Sequence, residues 1–185
     1  LALIIANADY QSQPQLPSCH KDGTDMKAKL EQLNFDVLYY TNTTRKTILE
    51  AISEFIKLAD CYSVLLVYYT GHGVQIDGEN YFVPIDCIYH PVKSVFIASS
   101  LVGVNTITQY MNEHEEKTNI LILDACRSSL SFAKEMGNIG LAEISAGNGT
   151  IIAFATSPNT SAFAPQTPDE NGYYTKRLLE HIDHP

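Results

Sequence analysis

Apolar residues fall along this chain in two alternating rhythms: short unbroken runs, and stretches where they recur every three or four positions. The alternation predicts strands separated by helices. Residues 1–6 form a run of the first kind. After a polar loop, Met26, Leu30 and Leu33 share one face of a helix from about 22 to 33, with Asp22 a candidate cap. Residues 35–40 predict a second strand, and residues 44–59 a second helix burying Ile48, Ile52, Phe55 and Ile56. The next strand, 62–69, is almost continuously apolar, as a central parallel strand covered on both faces would be, and it ends abruptly at Thr70-Gly71-His72-Gly73. Val74-Gln75 and residues 81–83 flank Asp77-Gly78 as a small hairpin. A helix over 104–113, a strand over 119–123, a long polar loop over 128–149, a strand over 150–156, a loop over 157–171 and a helix over about 173–182 complete the pattern. The expected fold class is α/β: an open, mostly parallel sheet with helices on both faces, in three layers.

Composition narrows the use of such a fold. The chain has 185 residues, enough for one domain, and its net charge of −9 argues against a nucleic-acid partner, which needs clustered Lys and Arg. No segment is apolar and long enough to span a bilayer, so no membrane partner is expected. Four cysteines without a CxxC pair point to a reducing, cytoplasmic compartment. The chain opens directly inside an apolar run, which reads as a domain excised from a longer protein.

In an open parallel sheet the ligand crevice lies beyond the carboxyl ends of the strands. His72 follows the third strand and Cys126 ends the fourth, in Leu123-Asp124-Ala125-Cys126-Arg127. Were those strands neighbours, about 4.8 Å apart, imidazole and thiol would meet. A free thiol, with a pKa of roughly 8.5, needs such a base to become a nucleophile at neutral pH. The attacked carbonyl needs amide donors, for which the N–H groups of Gly73 and Cys126 are candidates. Either residue alone reads more readily as packing; the pair, flanked by glycines at matching strand ends, favours chemistry.

Here the chain resembles a known family. Thr70-Gly71-His72-Gly73 and Asp124-Ala125-Cys126-Arg127, with His and Cys 54 positions apart, look like the two motifs of the caspase-like cysteine proteases. The resemblance runs from residue 1 to about 182, takes in residues 81–86 and 154–157, and is strongest toward the paracaspase, metacaspase and bacterial orthocaspase branches. It implies a caspase-like version of the expected fold over 1–185, with a large-subunit-like part (1–127), a linker loop (128–149) and the start of a small-subunit-like part (150–185). It also implies a cysteine endopeptidase with His72 and Cys126 as its dyad, acting on protein or peptide substrates after a basic P1 residue. Asp22 and Asp124 match the acidic pocket positions of those relatives, and Ala155, Thr156 and Ser157 the substrate-binding strand. Where paracaspases carry a third acid this chain has Ala164, for which Asp169 or Glu170 are candidate substitutes.

Two carboxylates converging on one pocket repel when it is empty and are relieved by a guanidinium or ammonium, which gives the basic specificity a physical basis. Against it stand plainer readings, a helix cap for Asp22 and a strand-end turn for Asp124. No metal is assigned: Cys19-His20 lacks partner ligands, and no carboxylate cluster has calcium-like spacing, although metacaspases often need calcium. No cofactor is therefore expected. A homodimer or flanking regulatory domains are the partners the resemblance suggests. The alternative is a caspase-like interaction module, or a protease silent until an appended sensor domain acts; retention of both Cys and His favours the enzyme.

Overall fold

The computed structural model describes residues 1–88, 100–126, 141–155, 165 and 167–183, with Cys126 described through its backbone. Five parallel strands form the centre: β1 (Ala2–Ala6), β2 (Val37–Thr41), β3 (Val64–Ile76), β6 (Thr118–Cys126) and β7 (Thr150–Phe154), side by side in the order β2-β1-β3-β6-β7. β4 (Glu79–Phe82) and β5 (Val102–Gly103) extend the sheet in the antiparallel sense beyond the end of β1. The connections are α1 (Ser18–Gln32), α2 (Arg45–Ala59) and α3 (Asn105–Glu113), and α4 (Tyr173–His181) follows β7.

Strand parity sorts the helices. Leu3, Ile5, Leu65, Val67, Tyr69, Leu121 and Leu123 pack in one core with Ile48, Ile52 and Phe55 of α2 and Ile107 and Met111 of α3. The alternate residues, Ala2, Ile4, Leu66, Tyr68 and Ile122, pack against Met26 and Leu30 of α1 and against Leu178 and Leu179 of α4. Among the described residues two helices therefore cover each face, because side chains on a strand alternate between faces. Each fully buried Leu, Ile or Phe contributes about 1.5–3 kcal/mol through removal of apolar surface from water. The strand order reverses between β1 and β3, and that switch point locates the crevice of an open α/β sheet.

Several element ends need correction, among them that of β6, which runs to Cys126 and not to 123. Helix α1 begins at Ser18, not near 22, so Asp22 is no cap: it lies in the second turn, buried to 1% exposure. The early turns lack an apolar stripe because they lie against the sheet through small or polar residues. At Gly23 a Cβ would stand 2.6 Å from that of Ala6. Strand β3 does not stop at Tyr69; it runs through Gly71-His72-Gly73 into the hairpin, turning at Asp77 and Gly78 with φ of 51° and 85°. Its glycines serve close approach, since a Cβ at Gly71 would meet the hydroxyls of Tyr10 and Tyr69 at 2.7 and 2.8 Å. Strand β7 ends at Phe154, two residues before the expected 156. The two-residue β5 had no counterpart in the sequence pattern.

Candidate active site

The parallel register of β3 and β6 pairs Thr70 with Asp124, Gly71 with Ala125 and His72 with Cys126. Two residues 54 positions apart in sequence thus lie directly opposite each other on neighbouring strands, where Cα atoms are about 4.8 Å apart.

His72 is fully buried and held from several sides. Its Nε2 lies 2.8 Å from the carbonyl oxygen of Pro14, in the loop between β1 and α1. A carbonyl can only accept, so Nε2 carries the proton and Nδ1 is the basic nitrogen. The ring stands 4.4 Å from that of Tyr10, tilted by 51°. Tyr10 also enters the ladder between β3 and the segment after β4, where its hydroxyl accepts the His72 N–H at 2.7 Å and donates to the Val83 carbonyl at 3.2 Å. Tyr69 donates to the His72 carbonyl at 2.6 Å. Burial pushes both phenols well above their ordinary range, so they act as neutral hydrogen-bonding groups.

The same ladder fixes the direction of the Gly73 amide. The Thr70 carbonyl accepts from Asn7 on the β1 side, and the His72 carbonyl accepts from Val83, also on that side. Backbone groups alternate sides along a strand, so the Gly73 N–H faces the β6 side, where Cys126 closes its strand. A Cβ at Gly73 would come within 2.9 Å of the Ala125 Cβ, so glycine keeps β3 and β6 close at this level.

Asp22 and Asp124 arrive from α1 and β6 at one place, the start of α4. The Gly172 N–H donates to Asp22 Oδ1 at 2.8 Å, and the Thr175 hydroxyl donates to Asp124 Oδ2 at 2.6 Å. The two carboxylates also converge on Gly172: a Cβ built there would stand 3.1 Å from Asp22 Oδ2 and 3.5 Å from Asp124 Oδ2. Burial, with the charge of Asp124 second, lifts the Asp22 carboxyl from 3.8 to about 7. Burial lifts Asp124 to about 6, opposed by the Thr175 hydroxyl and amide. No Lys or Arg among the described residues forms an ion pair with either carboxylate. The charge of Asp124 helps raise the Asp22 carboxyl, a repulsion of the kind a cationic ligand relieves.

The remaining sequence expectations divide. Ala155 is half-buried against the Tyr10 cluster, its amide donating to Leu123, while Thr156, Ser157 and Ala164 lie outside the described residues. Asp169 and Glu170 are exposed. The long loop is described over 141–149, where Asn80 grips Ala142 through both its amide atoms at 2.8 and 2.7 Å. Among the described residues no group of three or more His, Cys, Asp or Glu could hold a metal ion, and no helix is long and apolar enough to cross a membrane. The sequence reading missed the Pro14 carbonyl, Tyr10 and Thr175. A backbone acceptor leaves no residue-type signal, and the other two resemble ordinary core or helix positions.

Comparison with known proteins places this geometry in a lineage. The family model described as caspase domain matches residues 1–185. The human protein named mucosa-associated lymphoid tissue lymphoma translocation protein 1 is 28% identical over 183 residues, covering 98% of this chain and 21% of that protein. Mouse caspase-1 is 30% identical over 139 residues, 69% of this chain and 31% of that one. The crystal structure of the Drosophila initiator caspase Dronc matches with a TM-score of 0.63 at 12% identity, over 97% of this chain and 61% of that chain, a likeness of fold. The chain thus spans about a fifth of the length of the human relative.

Proposed function

This chain belongs to the caspase domain family, a family of cysteine-type endopeptidases, and from that premise we propose that it cleaves peptide bonds after basic residues, with Cys126 as nucleophile and His72 as base. The observation that carries the proposal is the register of β3 and β6, in which His72 and Cys126 are direct partners.

The steps follow from the groups at hand. His72 Nδ1 takes the thiol proton of Cys126 while its Nε2–H stays on the Pro14 carbonyl, which orients the ring. The sulfur attacks the scissile carbonyl carbon, and the Gly73 N–H, with that of Cys126, stabilises the oxyanion. As the C–N bond breaks, the imidazolium returns its proton to the leaving amine, leaving a thioester. Water, deprotonated by the same imidazole, then attacks the thioester carbon; the C–S bond breaks, the Cys126 sulfur takes the proton back from the imidazolium, and the acid product leaves.

For specificity, Asp22 and Asp124 receive the guanidinium or ammonium of the P1 side chain. Their support is the convergence on one point beside Gly172 and the absence of a described basic partner. Ala155, with Thr156 and Ser157 after it, would pair with the substrate backbone. The chemistry calls for no cofactor, and calcium dependence is open to direct test.

Matched fluorogenic peptides ending in Arg, Lys or Asp, with and without calcium, test this reading. Cleavage after Arg or Lys that falls at least about 1,000-fold in Cys126→Ala is expected. Cleavage after Asp would overturn the roles of Asp22 and Asp124, and activity surviving in Cys126→Ala would overturn the nucleophile.

A further inference from the structure

Where the related paracaspases carry a third acid, the described part of this chain brings a helix start to the acid pair. The first amides of a helix have no partner inside it, and their aligned dipoles favour negative charge. Helix α4 has no side-chain cap of its own. Its open amides go to the two carboxylates instead: the Gly172 N–H to Asp22, and the Thr175 backbone and hydroxyl to Asp124.

The Thr175 hydroxyl has one proton, and an ionised carboxylate can only accept. That proton therefore belongs to Asp124. Tyr68, whose oxygen lies 2.5 Å from that of Thr175, must then be the donor to it. The result is a directed chain, Tyr68 O–H to Thr175 O–H to Asp124, with Tyr68 and Thr175 both fully buried. This is the polarity that an ionised Asp124 imposes. Were Asp124 protonated on this oxygen, the chain would have to reverse, leaving the Tyr68 proton without its acceptor.

Resting on the reading of Asp22 and Asp124 as the basic P1 site, we infer that Thr175 is a positioning residue for substrate specificity: through its hydroxyl it holds Asp124 ionised and aimed at the P1 cation. Tyr68 backs it from β3. Among the described residues, the groups facing Asp124 are Asp22 from α1, Tyr68 from β3, and Tyr174 and Thr175 from α4. None is a cation, so the donors at the start of α4 do the work that a basic partner does in an ordinary buried ion pair.

The test compares Thr175→Val, which keeps the shape and loses the hydroxyl, with Thr175→Ser, which keeps the hydroxyl, in the full-length protein. Steady-state cleavage is followed on P1 Arg, Lys and norleucine peptides from pH 5.5 to 9. Thr175→Val is expected to raise KM for Arg and Lys peptides about tenfold, as loss of a hydrogen bond to a charged group does, with kcat within about twofold. Its norleucine cleavage is expected to be unchanged, and the acid limb of kcat/KM for the basic peptides to move to higher pH. Thr175→Ser restores both. Should Thr175→Val fail to fold, Tyr68→Phe gives the same changes at smaller amplitude. Equal losses for all three peptides, no rescue by serine, or no change at all would overturn the role of Thr175 while leaving cleavage after Arg and Lys in place. A wild type that does not cleave after basic residues would overturn the underlying reading, and this inference with it.

Discussion

Replacing Asp22 with Asn should make the protein more stable and a worse enzyme for basic substrates. In the unfolded chain the carboxyl releases its proton near 3.8, whereas in the fold it does so near 7, first because it is buried and second because Asp124 faces it. Between those values the folded protein holds a proton that the unfolded chain has lost, so stability falls as pH rises and levels off above about 7. Three pH units at about 1.4 kcal/mol each set the full penalty at roughly 4 kcal/mol by pH 8, of which about 2 kcal/mol is present at pH 5. Asparagine carries no charge to desolvate, and its carbonyl can still accept the Gly172 amide that Asp22 Oδ1 accepts at 2.8 Å. Urea unfolding of both proteins at pH 5 and pH 8 reads the difference. Asp22→Asn should be the more stable at both, with the gap widening by roughly 2–3 kcal/mol toward pH 8. The same variant should lose at least about tenfold in kcat/KM on P1 Arg peptides, since one of two carboxylates is gone. An Asn variant that is less stable at pH 8, or a gap that does not change with pH, would refute the account of Asp22 as a charge held against its environment.

Two further substitutions probe the frame around the dyad. Tyr10→Phe removes the acceptor of the buried His72 N–H, while the Val83 carbonyl keeps a donor from Asn7. A loss of about 1–3 kcal/mol by chemical denaturation is expected, and a change below about 0.5 kcal/mol would refute the role given to that hydroxyl. Gly73→Ala sets a methyl 2.9 Å from the Ala125 Cβ and 3.3 Å from Leu141, prising β3 from β6 beside the dyad. A loss of about 1–3 kcal/mol with a fall in kcat is expected, and adding Ala125→Gly should recover much of both; no recovery would place the effect elsewhere.

Much of the architecture could be read from the chain because strand parity leaves a plain trace. The alternation of Ala2, Leu3, Ile4 and Ile5 between two helix layers, and the near-continuous 64–69 run, give a parallel sheet covered on both faces. The start of α1 was hidden because Ser18, Cys19, Asp22 and Gly23, all buried, pack by smallness and hydrogen bonding rather than by apolar periodicity. Glycine misled at β3 for a related reason: at Gly71 and Gly73 the absent side chain makes room for neighbours rather than ending the strand. His72 and Cys126 stood out by residue type and spacing, although His72 lies within β3 rather than after it, and the resemblance named Asp22 and Asp124. What supports them was not legible. Pro14 contributes a carbonyl that any residue has, and Thr175 matters only because a helix 51 positions after Asp124 folds back upon it.

The bond between Asp22 and Gly172 joins residues 150 positions apart. A ribosome adding roughly 5–20 residues per second needs on the order of 10–30 s to travel between them. For that interval the nascent chain carries Asp22 without the amide that will receive it, and α4 is still unmade when β3 and β6 have both emerged. The strands bearing His72 and Cys126 are therefore synthesised before the helix that completes the surroundings of the acid pair. Maturation of the two parts is separated in time, with the surroundings of the acid pair last.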